Sequence, residues 1–121
     1  MKLHPDATQG PTVTGYGPGW VAINGERFTA SLVLSATGQR FDWNCAQFDD
    51  LTRSHFDRLS EMDADLVIFG SGERLLFPKA ELLQALYARQ IGVETMDTQA
   101  ACRTYNFLAS EGRKVVAALL L

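Results

Sequence analysis

The sequence predicts an α/β domain in which helices pack against a mixed β-sheet that is entered through antiparallel β-hairpins at the N-terminal end. Three observations predict it. Asn24-Gly25 sits between alternating flanks, short apolar runs alternate with helical-period segments from residue 65 onward, and the last run is apolar on both faces.

The first third of the chain is punctuated by Gly10-Pro11, Gly15 and Gly17-Pro18-Gly19 between short runs of β-formers. Within it, residues 21–28 read as a hairpin, because Asn24-Gly25 tolerates the positive φ angles that a two-residue turn demands. Residues 31–34 and 40–43 read as a second strand pair turned through Thr37-Gly38. After residue 48 the period lengthens. Phe48, Leu51, His55, Leu59 and Met62 recur at three and four, which predicts a helix from about Thr52 to Met62 with Thr52 as its N-cap.

Residues 65–69 then form a short apolar run stopped by Gly70-Ser71-Gly72, as a buried strand would be. Phe77-Pro78 is expected to open a second helix, since proline is tolerated at a first helical position. Leu82, Leu83, Ala85 and Leu86 supply its apolar stripe, and Gly92 is placed to end it in a left-handed conformation. Residues 93–96 are a third short strand. Asp97 or Thr98 caps a helix to about Ala109, Gly112 ends that unit, and residues 113–119 form the last strand. There Val115, Ala117 and Leu119 share one face and Val116, Ala118 and Leu120 the other, which places this strand mid-sheet with cover on both sides.

Composition bounds the function classes. A chain of 121 residues, 46% hydrophobic and 21% charged, describes a single domain over residues 1–121 that buries enough surface to need neither metal nor disulfide. A formal charge of −3 opposes general electrostatic binding to nucleic acid. The opening Met1-Lys2-Leu3-His4-Pro5-Asp6 has no apolar signal core, and the longest apolar run, residues 115–121, is too short to span a bilayer. A cytoplasmic location is expected. Cys45 and Cys102 have no metal-ligand or redox spacing and read as free thiols.

Few residues arrange themselves as chemistry would need. Gly70-Ser71-Gly72 follows a buried strand, where ligands collect in open α/β sheets, and reads either as a structural turn or as a backbone cradle for an anion or small polar ligand. No Lys-Ser/Thr pair follows it, and Glu73 brings negative charge, so neither a P-loop nor a dinucleotide fingerprint is present. Asp97 and Thr98 open a helix at the end of the next strand, either capping its amides or leaving them for an anionic ligand. If the two strands are neighbours, both turns line one crevice.

On a wheel of the last helix, Ala100, Ala101, Thr104, Phe107 and Leu108 form the expected core stripe. Cys102 and Asn106 fall near the opposite face beside Thr98, a second packing surface for another part of the fold or for a partner. A nucleophilic Cys102 would need a base such as His55 or His4, and a mid-helix position offers no free amides for an oxyanion. Glu111 and Arg113 are placed for a local ion pair across Gly112.

Five segments carry a family resemblance: residues 69–72 followed by Phe77-Pro78, then residues 92–98, 100–106 and 111–113. Together they resemble the MTH-like domain family, which spans uncharacterised small archaeal and bacterial proteins, the adipogenesis-associated Mth domain protein and mitochondrial complex I assembly factor three. Ser71 stands where family members carry Thr, which keeps the hydroxyl. The resemblance implies a three-layer α/β domain around a mixed central sheet, with no established catalytic residue and no cofactor. It also implies a role in assembling respiratory or membrane complexes through protein contacts.

The reading that follows is a non-enzymatic interaction module using the surface around Gly70, Ser71, Gly72, Asp97, Thr98, Cys102 and Asn106. The alternatives are a small-molecule-binding protein or enzyme with a pocket at the strand ends, and a homo-oligomer joined through the Cys102 face.

Overall fold

The computed structural model describes residues 10–121; the opening segment, with His4, lies outside the described residues. Strands β1 (Val13–Gly17), β2 (Trp20–Ile23) and β3 (Glu26–Phe28) form a three-stranded antiparallel sheet in that order. Asn24 and Gly25 both hold positive φ, 50° and 88°, as the mirror-image hairpin turn requires.

Strands β4 (Leu32–Ser35), β5 (Arg40–Asp42), β6 (Leu66–Gly70), β7 (Gly92–Met96) and β8 (Val115–Leu119) make the central sheet, in the order β5-β4-β8-β6-β7. β6 runs parallel to both β7 and β8, whereas β4 is antiparallel to β8 and β5, so the sheet is mixed. The second hairpin thus joins the central sheet and not the first hairpin. Its strand Leu32-Val33-Leu34 is buried on both faces and needs cover on both.

Helices α1 (Arg53–Ser60) and α2 (Gln84–Ala88) cover one face of that sheet, and α3 (Thr98–Ser110) with the small sheet covers the other. The first interface buries Val33, Phe56, Leu59, Val67, Leu86 and Val116; the second buries Val21, Ile23, Leu34, Ile68, Tyr105 and Ala117. Three layers result, with β8 in the middle of the molecule and buried along its whole length.

Helix ends follow local chemistry. Thr52 caps α1, and the imidazole of His55 accepts from the Thr52 backbone N–H at 3.0 Å, a capping box with histidine in the usual Glu/Gln place. The other ring nitrogen bonds the Asn44 carbonyl at 3.0 Å, fixing the loop before the helix.

Two expectations for the second helix are corrected. Pro78 does not open it: a 3-10 turn, Ala80–Leu83, comes first, with Leu83 buried at its end and Leu86 buried in α2. Gly92 does not end it either. The left-handed residue is Gln90, with φ 58°, and the Ile91 N–H bonds the Leu86 carbonyl at 2.9 Å while Gln90 N–H bonds Tyr87. Gly92 is already the first residue of β7.

Gln90 therefore holds a conformation that suits glycine. Gln90→Gly is expected to raise stability by about 0.5–1 kcal/mol, read as a higher denaturant midpoint at unchanged slope. Gly112, with φ 81°, does end α3 as expected, although the ion pair found near that turn joins Lys114 to Asp63 at 3.3 Å and does not involve Glu111 or Arg113.

Candidate functional site

The parallel register of β6 with β7 and β8 places Gly70 beside Met96 on one side and Leu119 on the other, so three strands end at one edge of the sheet. The turns that follow meet there. Gly72, Glu73, Asp97, Thr98 and Gln99 line a cleft of about 390 Å³, together with Leu120 and Leu121. Its remaining wall is Gly17-Pro18-Gly19, the turn between β1 and β2. That contribution was not foreseen, because Gly-Pro-Gly in sequence signals a turn and says nothing of what the turn approaches.

The hydroxyl of Thr98 organises this edge. It donates to the Leu120 carbonyl at 2.7 Å and accepts from the Gly72 N–H at 2.8 Å, while the Thr98 N–H returns to the Gly72 carbonyl at 2.9 Å. One side chain thereby ties the β6 turn, the start of α3 and the end of β8. Gly70 is required by the same closeness: a Cβ there would meet Thr98 Oγ1 at 2.9 Å and Leu119 Cδ2 at 3.0 Å.

Ser71 is also engaged. Its N–H donates to Met96, its hydroxyl donates to the Arg74 carbonyl at 2.6 Å and accepts from the Leu76 N–H at 3.0 Å, and the side chain is buried. These bonds shape the loop leaving β6. The Ser71 and Gly72 amides are therefore spent on the fold and offer no cradle to an anion.

Asp97 takes the cap role. Its carboxylate accepts from the Ala100 N–H at 2.9 Å, and its carbonyl accepts from Ala101. The charged side chains lining the cleft, Glu73 and Asp97, are both acids, so the cavity repels an anion and suits a neutral or cationic group.

Cys102 and Asn106 lie elsewhere, and the expected helix face is corrected. The buried stripe of α3 is Thr98, Ala101, Cys102 and Tyr105, whereas Phe107 is 62% exposed. The wheel was centred on the most apolar residues. The true interface is narrow and takes small residues against the sheet, with polar groups that find partners in β1 and the chain before it. Asn106 accepts from the Val13 N–H at 2.9 Å and donates to the Val13 carbonyl at 2.7 Å, imitating a neighbouring strand. Tyr105 donates to the Pro11 carbonyl at 2.6 Å, and burial drives its phenol well above the usual range. This second packing surface belongs to the fold, and the Cys102 face offers no self-interface.

Cys102 is fully buried, and burial pushes its thiol up to about 11 despite the opposing charge of Arg103. His55 packs beside Trp43 in the layer on the opposite face of the sheet, so it cannot act as its base. Cys45 is buried too, and its thiol is likewise raised. Neither thiol is expected to react with a disulfide reagent at pH 8 in the native state, and both should titrate after unfolding in denaturant. Among the described residues no three His, Cys, Asp or Glu side chains come together to hold a metal ion, and no helix is long and apolar enough to cross a membrane.

Comparison with known proteins places this architecture. A family model described as "Protein of unknown function (DUF498/DUF598)" matches residues 13–120. The chain is 34% identical over 120 residues to the human protein named NADH dehydrogenase [ubiquinone] 1 alpha subcomplex assembly factor 3, covering 98% of this chain and 65% of that protein. It thus spans just under two thirds of that relative's length. A crystal structure of a Bordetella parapertussis protein superposes with a TM-score of 0.87 at 38% identity, covering 94% of this chain and 98% of the other. A solution structure of a Bordetella pertussis protein described as an Mth938-like domain gives 0.81 at 36% identity, covering 99% of this chain and 92% of that one. The motifs, the three layers and these similarities agree, and the chain belongs to the DUF498/Mth938-like family.

Proposed function

We propose that this chain is a non-enzymatic interaction module that assists assembly of a respiratory membrane complex through contacts with protein partners. The observation that carries this reading is similarity along 98% of the chain to a relative named as a complex I assembly factor. The geometry supports it: the polar groups of Ser71, Asp97, Thr98 and Asn106 are occupied by bonds that hold the fold, and the thiol of Cys102 is buried and protonated.

The partner surface we assign is the strand-end edge around Gly70, Ser71, Gly72, Asp97 and Thr98. Leu75 and Phe77, exposed on the loop leaving that edge at 54% and 69%, extend it with apolar contact area. The module would work at the cytoplasmic side of its membrane complex. Affinity purification of the tagged chain from detergent-solubilised host membranes tests the reading. Subunits of NADH dehydrogenase should be enriched, and Phe77→Asp should lower their recovery several-fold without changing thermal stability. Recovery equal to a tag-only control would contradict it.

A second reading, binding of a small molecule in the cleft, is favoured by the cavity of about 390 Å³ at the same edge. With Glu73 and Asp97 in its lining, the ligand would be a neutral polar molecule or an amine. Titration of small amines into isotope-labelled protein should shift the Gly72, Thr98 and Gln99 amides; uniformly unshifted spectra across the series would remove this reading.

A further inference from the structure

The strand edges of this domain are closed in different ways, and one is left open. β3 and β5 are three residues long and carry Glu26, Arg27, Arg40 and Asp42. β1 is longer, but Asn106 occupies both main-chain groups of Val13, and α3 packs along that strand. Short length, charge and a covering side chain are the usual defences of a sheet edge.

β7 has five residues, and among the described residues no strand lies beyond it. Gly92 N–H bonds Asp65, and Met96 carbonyl accepts from Ser71, so Gly92, Glu94 and Met96 direct their main-chain groups toward β6. By the alternation of a parallel ladder, Val93 and Thr95 direct theirs outward. Among the described residues nothing pairs with them. Glu94 stands exposed at the middle of this edge and, among the described residues, makes no ion pair.

We infer that the β7 edge accepts an extended segment of a partner protein as a sixth strand of the central sheet, with a lysine or arginine of that segment opposite Glu94. Outward N–H and C=O groups of Val93 and Thr95 supply the main-chain bonds of strand addition, and the carboxylate supplies the selection of charge. The same carboxylate disfavours a second copy of this chain. Antiparallel pairing of two β7 strands about their midpoint would set Glu94 against its own counterpart at the closest cross-strand spacing. The edge is separate from the residues lining the strand-end cleft, so substitutions at Glu73 or Gln99 leave it intact.

The test uses the isotope-labelled full chain and two capped peptides of about nine residues, one alternating valine with lysine and one alternating valine with glutamate. In the free protein the Val93 and Thr95 amides should exchange with solvent much faster than that of Glu94. The lysine peptide should shift both amides and slow their exchange at least tenfold, bind at least tenfold more tightly than the glutamate peptide, and lose binding in Thr95→Pro. That variant removes an outward N–H and no ladder bond. Glu94→Lys should reverse the preference, and the spectrum of each variant reports whether it is folded. Strong protection of Val93 and Thr95 in the free chain, equal affinity for both peptides, or shifts confined to other residues would each overturn the inference.

Discussion

Thr98→Val is expected to destabilise the domain by about 2–4 kcal/mol, because one isosteric change orphans a buried carbonyl and a half-buried N–H at about 1–3 kcal/mol each. The groups are the Gly72 N–H, held at 2.8 Å, and the Leu120 carbonyl, held at 2.7 Å. Water cannot easily replace the hydroxyl, since Thr98 is 7% exposed and the Cβ position of Gly70 lies against it. Thr98→Ser keeps both bonds and should stay within about 1 kcal/mol of wild type. Urea unfolding of the three proteins checks this, and a Val variant as stable as the Ser variant would show that the hydroxyl does not hold the edge together. Faster hydrogen exchange at Gly72 should accompany the loss.

Trp43→Ala is expected to cost about 3–5 kcal/mol, the range for deleting a large aromatic from a packed core. Against a total stability of about 5–15 kcal/mol for a domain, that change brings the protein close to unfolding. Trp43 is 1% exposed and meets His55, Phe56 and Phe69 edge-on at centroid separations of 5.7, 5.5 and 6.0 Å. Its indole N–H also donates to the His55 carbonyl at 3.1 Å. The residue therefore joins the end of the β5 hairpin to α1 and to β6, and its loss leaves a void shared by all three. Trp43→Phe retains the ring contacts without the N–H and should cost less. Thermal unfolding followed by circular dichroism ranks the pair; equal losses for Ala and Phe would point to the hydrogen bond in place of the packing.

The sequence revealed most where a local rule and the tertiary demand agree. Asn24-Gly25, the Thr52 cap, the Asp97 cap and the two-faced apolar run of β8 each report one physical requirement, and each element is found where that requirement places it. It misled where tertiary packing overrides local preference. Gln90 takes the left-handed position because Ile91 must turn inward onto Leu86, and no propensity favours glutamine there. The wheel of α3 failed for a related reason: its buried face contains Thr98, Cys102 and Tyr105, and the hydroxyls of Thr98 and Tyr105 are satisfied only by partners distant in sequence.

The candidate site was legible in outline. Gly70-Ser71-Gly72 and Asp97-Thr98 were expected to line one crevice if their strands were neighbours, and the parallel register of β6 and β7 makes them so. Beyond the Asp97 cap their roles were not legible, since whether a turn amide is free or bonded depends on what packs behind it. Ser71 and Thr98 act as ties of the fold, and the Gly17-Pro18-Gly19 wall arrives from the other end of the chain.

The most direct measurement is deletion of this chain in its own host, with solubilised membranes resolved on native gels and stained for NADH dehydrogenase activity. The expected result is a several-fold loss of fully assembled enzyme with accumulation of partial complexes, restored by wild type and equally by Cys102→Ala, because assembly by docking needs no thiol chemistry. An unchanged amount of assembled enzyme in the deletion strain would contradict the assembly role, and failure of a stably folded Cys102→Ala to restore it would contradict its non-enzymatic character.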